Sequence, residues 1–374
     1  MLRDNTMTPD TTTFIIKTVN YCNLACKYCY ACYQDPTEKY VINGRTLSNL
    51  FEGIAQLPLN RLQIIWHGGE PLLAGREFFE NALELENKFK RKDQVIINCI
   101  QTNGTLLTDE WIRFLVSNEI GIGVSIDGPD FLHDNQRVFK NNKPSHEPTL
   151  RGIHLMQQYK LPVNACLVLT RFGTNCAKEI YNFFKDNEIY EYDILPCLPY
   201  QQNKTSQNLA IEPLEYSKFL CDLFDIWFHE DDDRIQIRYL TNVIESLLTG
   251  YSTLCKLSGS CKSFISVDTD GSVYPCDSYI GIDEFKLGNL ENEGLFSILR
   301  GETYRLFIQK IAINSENCRA CTWFSICHGG CSFHQYLSQK SPSSKNFSCL
   351  CNRSVFQHVK EVISGYKPAE NGIV

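Results

Sequence analysis

Up to about residue 200, the chain alternates between short runs rich in β-branched and aromatic residues and longer runs with apolar residues at helical spacing. Polar or glycine-containing loops separate the two kinds of run. This alternation predicts parallel strands with a helix after each, and six such units predict a partial (β/α)6 barrel of the TIM type, in the α/β class. The predicted strands cover residues 14–19, 62–67, 95–101, 121–126, 163–169 and 190–198.

The chain changes character after the predicted barrel. Helical patterns at Pro213–Glu230 and 242–248 form a bridge, and beyond it cysteines and glycines replace the regular alternation. In this last part, VDTDGSVYPC is typical of a β-hairpin with Asp270 and Gly271 at its turn. We therefore expect three regions, which cover residues 1–210, 211–254 and 255–374.

The strongest compositional feature is the presence of 18 cysteines. The first residues lack the basic start and apolar middle of a signal peptide, and no window is apolar enough to span a bilayer, so we expect a cytoplasmic protein. Because disulfides are rare in that reducing compartment, the cysteines favour metal or redox chemistry. A net charge of −7 and a pI near 5.7 give no overall attraction to nucleic acid or to a membrane surface.

Three of these cysteines, Cys22, Cys26 and Cys29, follow the first predicted strand with the spacing C-x3-C-x2-C. Iron–sulfur cubanes normally take four thiolates, so three thiolates leave one iron open to a small bidentate ligand. A zinc site is the alternative. The motif, with Tyr28 as its aromatic residue, resembles the radical S-adenosylmethionine (SAM) superfamily. The resemblance implies a [4Fe–4S] cluster whose open iron binds the amino and carboxylate groups of SAM.

Later loops extend this resemblance. The sequence HGGEP after the second predicted strand resembles the GGEP loop of the superfamily, in which glycines leave room for the ligand and the carboxylate suits an ammonium group. Besides Tyr28, the resemblance assigns SAM contacts to Gly68, Gly69, Glu70, Ser125, Arg137 and Leu198.

The C-terminal cysteines are spaced as in the SPASM domain, a module of radical SAM enzymes that holds auxiliary iron–sulfur clusters. Two structural zinc sites are the alternative. The resemblance implies two [4Fe–4S] clusters, three in the whole chain, with one held by Cys255, Cys261, Cys276 and Cys331 and the other by Cys318, Cys321, Cys327 and Cys349. Cys351 remains an alternative to Cys349. We interpret Cys32 as a small buried apolar residue, with a reactive thiol as the alternative.

The segments RIQIRYL, DGSVYPCDSY and LGNL, together with the C-terminal cysteines, carry a further resemblance that covers nearly the whole chain. The sequence resembles the anaerobic sulfatase-maturing enzymes, which oxidise a Cys or Ser of a sulfatase to formylglycine, and their peptide-modifying relatives. The resemblance implies that SAM is cleaved reductively, that the 5′-deoxyadenosyl radical takes a hydrogen atom from the substrate, and that the substrate loses two electrons. Asp277 in YPCDSY matches the carboxylate proposed in maturases as the base that deprotonates the substrate. A loop-capping Asp is the alternative.

Two positions depart from the maturase pattern. His67 stands before GGEP, where maturases usually carry Gln, and Tyr30 is followed by Ala31 rather than by a second aromatic residue. WHGGEPLLAG instead resembles enzymes that cross-link residues in ribosomally made precursor peptides. We therefore expect cyclisation of a precursor peptide, with sulfatase maturation as the alternative.

The expected partners are a peptide or protein substrate, either a precursor peptide or a sulfatase, and a one-electron donor such as flavodoxin or ferredoxin. About a dozen residues precede the first predicted strand, which are too few for a separate leader-binding domain. We therefore expect the substrate to be recognised at the barrel mouth, at the bridge or by a separate protein.

Overall fold

The computed structural model describes residues 12–30, 38–199, 203–259, 261–312, 316–340 and 346–366. Within these ranges, ten strands, β1 to β10, span Thr12–Val19, Arg61–Gly68, Val95–Thr102, Gly121–Ser125, Asn164–Leu169, Glu191–Pro196, Gln236–Ile237, Phe264–Val267, Ser272–Tyr274 and Gly288–Asn289. Sixteen α-helices in the same ranges, α1 to α16, span Gly44–Gln56, Arg76–Phe89, Asp109–Ser117, Asp130–Gln136, His146–Gln158, Ala177–Asp186, Lys204–Leu209, Pro213–Glu230, Arg238–Thr249, Cys255–Ser258, Leu295–Arg300, Glu302–Ala312, Glu316–Arg319, Phe324–Cys327, Ser332–Lys340 and Phe347–Gly365. Short 3-10 helices lie at Pro71–Ala74, Arg171–Gly173, Cys261–Ser263, Asp277–Tyr279 and Asp283–Phe285.

Six consecutive parallel strands form the centre of the sheet. From β1 to β6, each strand pairs in parallel with the next strand along the chain, and helices connect them. The described sheet is open, because its edge strands are β10 and β7. The prediction of a partial barrel is therefore confirmed, and the predicted strand ends differ from the observed ones by at most two residues.

Alternate residues of a strand face opposite sides of the sheet, as β2 illustrates. Trp66 is fully buried on the outer face, where its ring packs edge-on against Phe78 and Phe79 of α2. His67 lies on the inner face and meets Lys17 of β1. The outer face thus forms the core with the surrounding helices, whereas the inner face presents polar side chains to the barrel interior.

The predicted bridge corresponds to α8 and α9. α8 has the predicted bounds and begins with a capping box, in which the Glu212 N–H donates to the Glu215 carboxylate at 3.2 Å. α9 begins four residues earlier than predicted, directly after the two-residue strand β7. The sequence pattern did not predict β7, because a strand this short is defined by its pairing with β6.

The cysteine-rich part of the chain extends the same sheet. β8 pairs in parallel with β1, and β9 and β10 continue in antiparallel order. β8 and β9 form the predicted hairpin, with Gly271 at φ +81° in its turn. Helix α16 returns to pack against α8. The division at residues 210 and 254 stays a prediction, and the sheet itself runs across it.

None of the helices in the described ranges combines the length and the apolar character that a membrane span requires.

Candidate active site

The loop that leaves β1 carries Cys22, Cys26 and Cys29. The Leu24 N–H donates to the Cys22 sulfur at 3.3 Å, and the Cys29 N–H donates to the Cys26 carbonyl at 3.1 Å, so the loop turns back on itself. The pKa of Cys22 and that of Cys26 are each raised to about 12, mainly by burial and to a smaller extent by neighbouring acidic groups, which include the other cysteines of the loop. Thiols buried in this way stay protonated unless a metal replaces the proton, which fits cysteines that hold a cluster.

The GGEP loop lies against the start of this cysteine loop. The Gly69 N–H donates to the Val19 carbonyl at 2.9 Å, and the Glu70 N–H donates to the Tyr21 carbonyl at 3.1 Å. A Cβ at Gly69 would lie 1.8 Å from the Tyr21 carbonyl oxygen, and Gly68 has φ +130°. Glycine is therefore required here by backbone conformation and by the close approach of two chain segments.

Glu70 is fully buried and is hydrogen-bonded within the protein. Its carboxylate accepts from the Thr102 hydroxyl at 2.7 Å, from the Asn103 N–H at 2.8 Å and from the Leu72 N–H at 3.1 Å. Burial raises the pKa of Glu70 to about 6, although these donors oppose the rise. The side chain fixes the loops after β2 and β3 to each other, and its contact with SAM stays a prediction.

Tyr28 and Arg137 meet at Asp127, in the loop after β4. The Tyr28 hydroxyl donates to Asp127 Oδ2 at 2.7 Å and accepts from Arg137 Nη1 at 2.5 Å. Gln136 donates to the same Asp127 oxygen at 2.9 Å. Arg137 is buried, and its Nε has no hydrogen-bond partner among the described residues. Because buried donors are normally paired, Arg137 fits a role in binding an acidic group of a ligand.

Ser125 and Leu198 lie at the same edge of the sheet. Ser125 ends β4, and its hydroxyl accepts from the Gln101 amide at 3.0 Å. Leu198 follows β6 and is buried. The structure thus brings the predicted SAM contacts together at the carboxyl ends of the strands, while their individual roles stay predictions.

Four side chains, Lys17, Tyr30, His67 and Asp277, form what we call the Lys17 cluster, which joins the barrel to the C-terminal region. Lys17 is 0% exposed, and its ammonium lies 2.5 Å from Asp277 Oδ1. It donates to the Tyr30 hydroxyl at 2.5 Å and lies 3.1 Å from His67 Nδ1. The Tyr30 hydroxyl in turn donates to Asp277 Oδ2. Both oxygens of Asp277 are thus held at the barrel mouth.

The Lys17 cluster combines charged and neutral groups. Burial raises the pKa of Asp277, but Lys17 and the other members of the cluster bring it below its usual value. Burial, followed by the charge of Lys17, lowers the pKa of His67 to about 4. Because His67 Nδ1 accepts the Gly68 N–H at 2.8 Å, the ring proton lies on Nε2. The cluster therefore contains an ammonium, a carboxylate and a neutral imidazole.

The cysteines predicted to hold the first auxiliary cluster surround an apolar cavity of about 180 Å³ beside Asp277, which we call the first SPASM cavity. Its walls include Cys255, Cys261, Cys276 and Cys331. Ile15 of β1 also lines it, so the cavity lies against the barrel. Within the described ranges, no three Cys, His, Asp or Glu side chains converge on the position of a single metal ion. Four thiols around one apolar space fit a [4Fe–4S] cluster.

The cysteines predicted to hold the second auxiliary cluster surround a larger cavity of about 620 Å³, which we call the second SPASM cavity. Its walls include Cys318, Cys321, Cys327 and Cys349. Cys349 lies in the first turn of α16, where its N–H donates to the Asn346 side chain at 3.1 Å. Cys351 is 2% exposed and packs in the hydrophobic core. The structure therefore places Cys349, and not Cys351, beside the other three cysteines, while Cys32 lies outside the described residues.

Sequence reasoning assigned no role to Lys17, Asp127 or Asn103. The available signal for Lys17 is a charge inside the apolar strand FIIKTV, and the signal for Asp127 is its place in SIDGP directly after a strand. The Asn103 amide donates to the Asn23 side chain at 2.8 Å and lies 3.8 Å from the Cys22 sulfur, so it supports the cysteine loop.

The radical SAM superfamily profile matches residues 16–184, and the profile of the SPASM iron–sulfur cluster-binding domain matches residues 255–322. The cysteine-type anaerobic sulfatase-maturating enzyme of Clostridium perfringens is 32% identical over 344 residues, covering 90% of this chain and 93% of that enzyme. The chain belongs to the anaerobic sulfatase-maturase family of radical SAM proteins. The serine-type anaerobic sulfatase-maturating enzyme of Bacteroides thetaiotaomicron is 30% identical over 378 residues, covering 93% of this chain and 91% of that enzyme.

Solved structures agree with this membership. Native anSMEcpe with bound AdoMet and Cp18Cys peptide superposes with a TM-score of 0.84 at 30% identity, covering 96% of this chain and 100% of that one. Streptococcus suis SuiB bound to S-adenosylmethionine superposes with a TM-score of 0.62 at 16% identity, covering 89% and 75% of the two chains. The second similarity shows the shared fold alone.

The prediction of precursor-peptide cyclisation is wrong. It depended on His67 and Ala31, whereas the similarity to sulfatase-maturating enzymes extends over about nine-tenths of the chain. In the structure, the His67 ring binds Lys17 and its own loop, so its presence is explained by the Lys17 cluster and not by a different reaction. Ala31 lies outside the described residues. The alternative, sulfatase maturation, is the better supported reading.

The cofactor prediction of three [4Fe–4S] clusters and SAM is confirmed by the radical SAM and SPASM matches. The zinc alternative for the C-terminal cysteines is wrong, because that segment matches an iron–sulfur cluster-binding domain. The chain is therefore a radical SAM enzyme with auxiliary clusters, and the assignment of individual cysteines to each cluster stays a prediction.

Proposed function

We propose that this radical SAM enzyme is an anaerobic sulfatase maturase that oxidises a Cys or Ser side chain of a sulfatase to formylglycine. The observation that carries the proposal is the similarity, over about nine-tenths of the chain, to maturases of both the cysteine and the serine type. The neighbour solved with bound AdoMet and Cp18Cys peptide supports a peptide segment as the substrate. The proposal includes a cytoplasmic location and a flavodoxin or ferredoxin as electron donor.

The proposal assigns each group of residues a task. Cys22, Cys26 and Cys29 hold the cluster that binds SAM, and this pair, when bound, supplies the radical that removes hydrogen from the substrate. The groups that surround SAM are Tyr28, Gly68, Gly69, Glu70, Ser125, Arg137 and Leu198. The auxiliary clusters, which provide a route for the departing electron, are held by Cys255, Cys261, Cys276 and Cys331 and by Cys318, Cys321, Cys327 and Cys349.

Asp277 is the proposed base. It takes the proton of the substrate thiol or hydroxyl, so that the neighbouring carbon can become an aldehyde carbon. Its side chain is 24% exposed, which leaves it accessible to a substrate, and Lys17 provides a positive charge that favours the ionised carboxylate needed for proton transfer.

The test is an anaerobic reaction of the reconstituted enzyme with SAM, a reductant and synthetic sulfatase peptides that carry either Cys or Ser. Mass spectrometry should show a Ser peptide losing two hydrogens, or a Cys peptide losing two hydrogens and then exchanging its sulfur for an oxygen of water, with release of hydrogen sulfide. If SAM is cleaved but neither peptide changes, the enzyme is not a sulfatase maturase.

Asp277→Asn tests the base in the same assay. The variant should keep its iron and its ability to cleave SAM, while the product falls by about 100-fold or more, since general acid–base groups contribute factors of this size. Asp283→Asn is the matched control, because Asp283 lies in the same segment but is exposed. Equal losses in the two variants would argue against Asp277 as the base.

A further inference from the structure

Lys17 is a buried charge whose role in the proposed reaction is so far only an electrostatic effect on Asp277. Its side chain is 0% exposed, yet it contacts three other side chains of the Lys17 cluster. We propose that Lys17 is a positioning residue, which rests on the function proposed above: its ammonium holds the Asp277 carboxylate in one orientation at the barrel mouth. Lys17 thereby orients Asp277, the proposed base, toward the substrate.

Lys17 and Asp277 come from structural elements that differ in their hydrogen bonding. Lys17 lies within β1, which is hydrogen-bonded to β2 on one side and to β8 on the other. Asp277 begins a three-residue 3-10 helix, in which the Tyr279 N–H donates to the Cys276 carbonyl at 3.1 Å. The ammonium of Lys17 therefore comes from a strand that is paired on both sides, and the carboxylate of Asp277 comes from a short helical turn between strands.

The fold alone does not explain an ammonium at this position. Ile15, two residues earlier on the same face of β1, is apolar and lines the first SPASM cavity. Removing a lysine from water is costly unless an opposite charge compensates it, and an apolar side chain of similar size is often as stable as a buried ion pair. The charge of Lys17 is therefore explained by its partner Asp277.

The contacts of Asp277 leave room for a substrate. Lys17 lies 2.5 Å from Oδ1 as an ion pair rather than as an aligned hydrogen bond, and the Tyr30 hydroxyl donates to Oδ2. A carboxylate offers about four lone-pair positions, so others stay available. The side chain of Asp277 is 24% exposed although Oδ1, the oxygen beside Lys17, is buried, so any exposed carboxylate oxygen surface belongs to Oδ2.

The step that Lys17 supports is one proton transfer. The S–H or O–H bond of the substrate breaks, an O–H bond forms on Asp277, and Lys17 keeps its own proton throughout. Electrons leave the substrate in separate steps, through the oxidation already proposed. Loss of the ammonium should therefore impair turnover while leaving the binding of peptide unchanged.

The test compares Lys17→Ala with the wild-type holoenzyme. Peptide affinity, measured by fluorescence with SAM and without reductant, should stay within about twofold. The kcat should fall by about 100-fold, because misplacing a reacting group by about 1 Å can cost a factor of this size. Added propylammonium, which replaces the atoms missing beyond Cβ, should raise the kcat of Lys17→Ala by at least about tenfold. Propanol has a similar size without the charge and should restore nothing.

A second measurement needs no substrate. Hydrogen exchange of the Tyr279 and Ile280 amides, which bond to the Cys276 and Asp277 carbonyls, reports on the segment that carries the base. Lys17→Met should speed this exchange by about tenfold or more relative to Lys92→Met, an exposed lysine, at equal iron content. If wild-type enzyme converts no peptide, the proposed function fails and this exchange still decides whether Lys17 positions Asp277.

Unchanged exchange in Lys17→Met would overturn the inference. So would a loss of turnover in Lys17→Ala that propanol rescues as well as propylammonium does, because that result would show a need for volume and not for charge. A matching loss of peptide affinity would also count against it, since Lys17 would then be part of the binding surface.

Discussion

Gly69→Ala tests how closely the GGEP loop and the cysteine loop depend on each other. The new Cβ would lie 1.8 Å from the Tyr21 carbonyl oxygen and 2.3 Å from the carbonyl carbon. Both are backbone atoms, which cannot rotate away as the end of a flexible side chain would. To bring the shorter contact to 3.0 Å, the two segments must separate by about 1.2 Å.

This separation has an energetic and a chemical consequence. It breaks or lengthens two hydrogen bonds, from Gly69 to Val19 and from Glu70 to Tyr21, each of which contributes about 1 kcal/mol. Overpacking strain adds about 1–3 kcal/mol, so we expect the free energy of unfolding to fall by about 3–5 kcal/mol. Because Tyr21 directly precedes Cys22, the first cluster cysteine moves as well.

The assay is iron and sulfide content after anaerobic reconstitution, combined with the midpoint of thermal unfolding. Gly69→Ala should lose about four iron atoms, one cluster's complement, while the SPASM clusters stay. Gly44→Ala is the matched control, because no atom lies within 4 Å of its Cβ position at the start of α1. A Gly69→Ala protein with full iron and an unchanged midpoint would refute the steric reasoning.

Two further predictions follow from the cited burial and pKa values. The pKa of His67 is lowered to about 4 in the folded protein, whereas it is about 6.5 in the unfolded chain. Between these two pH values only the unfolded chain binds the proton, so the free energy of unfolding decreases as the pH drops through this window. In anaerobic urea unfolding, the free energy of unfolding of the wild type should decrease by about 1 kcal/mol more than that of His67→Gln between pH 7.5 and 5.5. Equal decreases in the two proteins would contradict this prediction. The Cys349→Ala variant should lose about four iron atoms after reconstitution, because Cys349 lines the cavity with the other three cysteines. The Cys351→Ala variant should keep its iron and lose only stability, because Cys351 packs in the hydrophobic core. The reverse result would make Cys351 the ligand.

The barrel could be predicted from the sequence because its signals are local. Each of the six strands is a short β-rich run, and α8 is a long amphipathic segment with proline at its first position, so both its ends were found. The Asp270–Gly271 turn likewise identified the hairpin of β8 and β9. The resemblance to the SPASM domain implied two sets of four cysteines, and in the structure each set lines one cavity.

The Lys17 cluster could not be predicted in the same way. Its members lie at positions 17, 30, 67 and 277, and no periodicity relates a residue of β1 to one that is 260 positions later. His67 shows the consequence: read alone, it suggested a different reaction, but its ring is bound by Lys17 and by the Gly68 N–H. The meaning of a single polar residue at a barrel mouth depends on partners that tertiary structure brings to it.

Strand β1 explains how the two halves of the site keep their geometry. It leads directly into the loop with Cys22, it carries Lys17, and it pairs with β8, whose hairpin leads to Cys276 and Asp277. In this pairing Ile16 lies opposite Val267, while Lys17 lies opposite His67 on the other side. The distance between the loop that carries Cys22 and the proposed base is therefore set by the hydrogen bonds of one central strand, and not by a flexible contact between two independent domains.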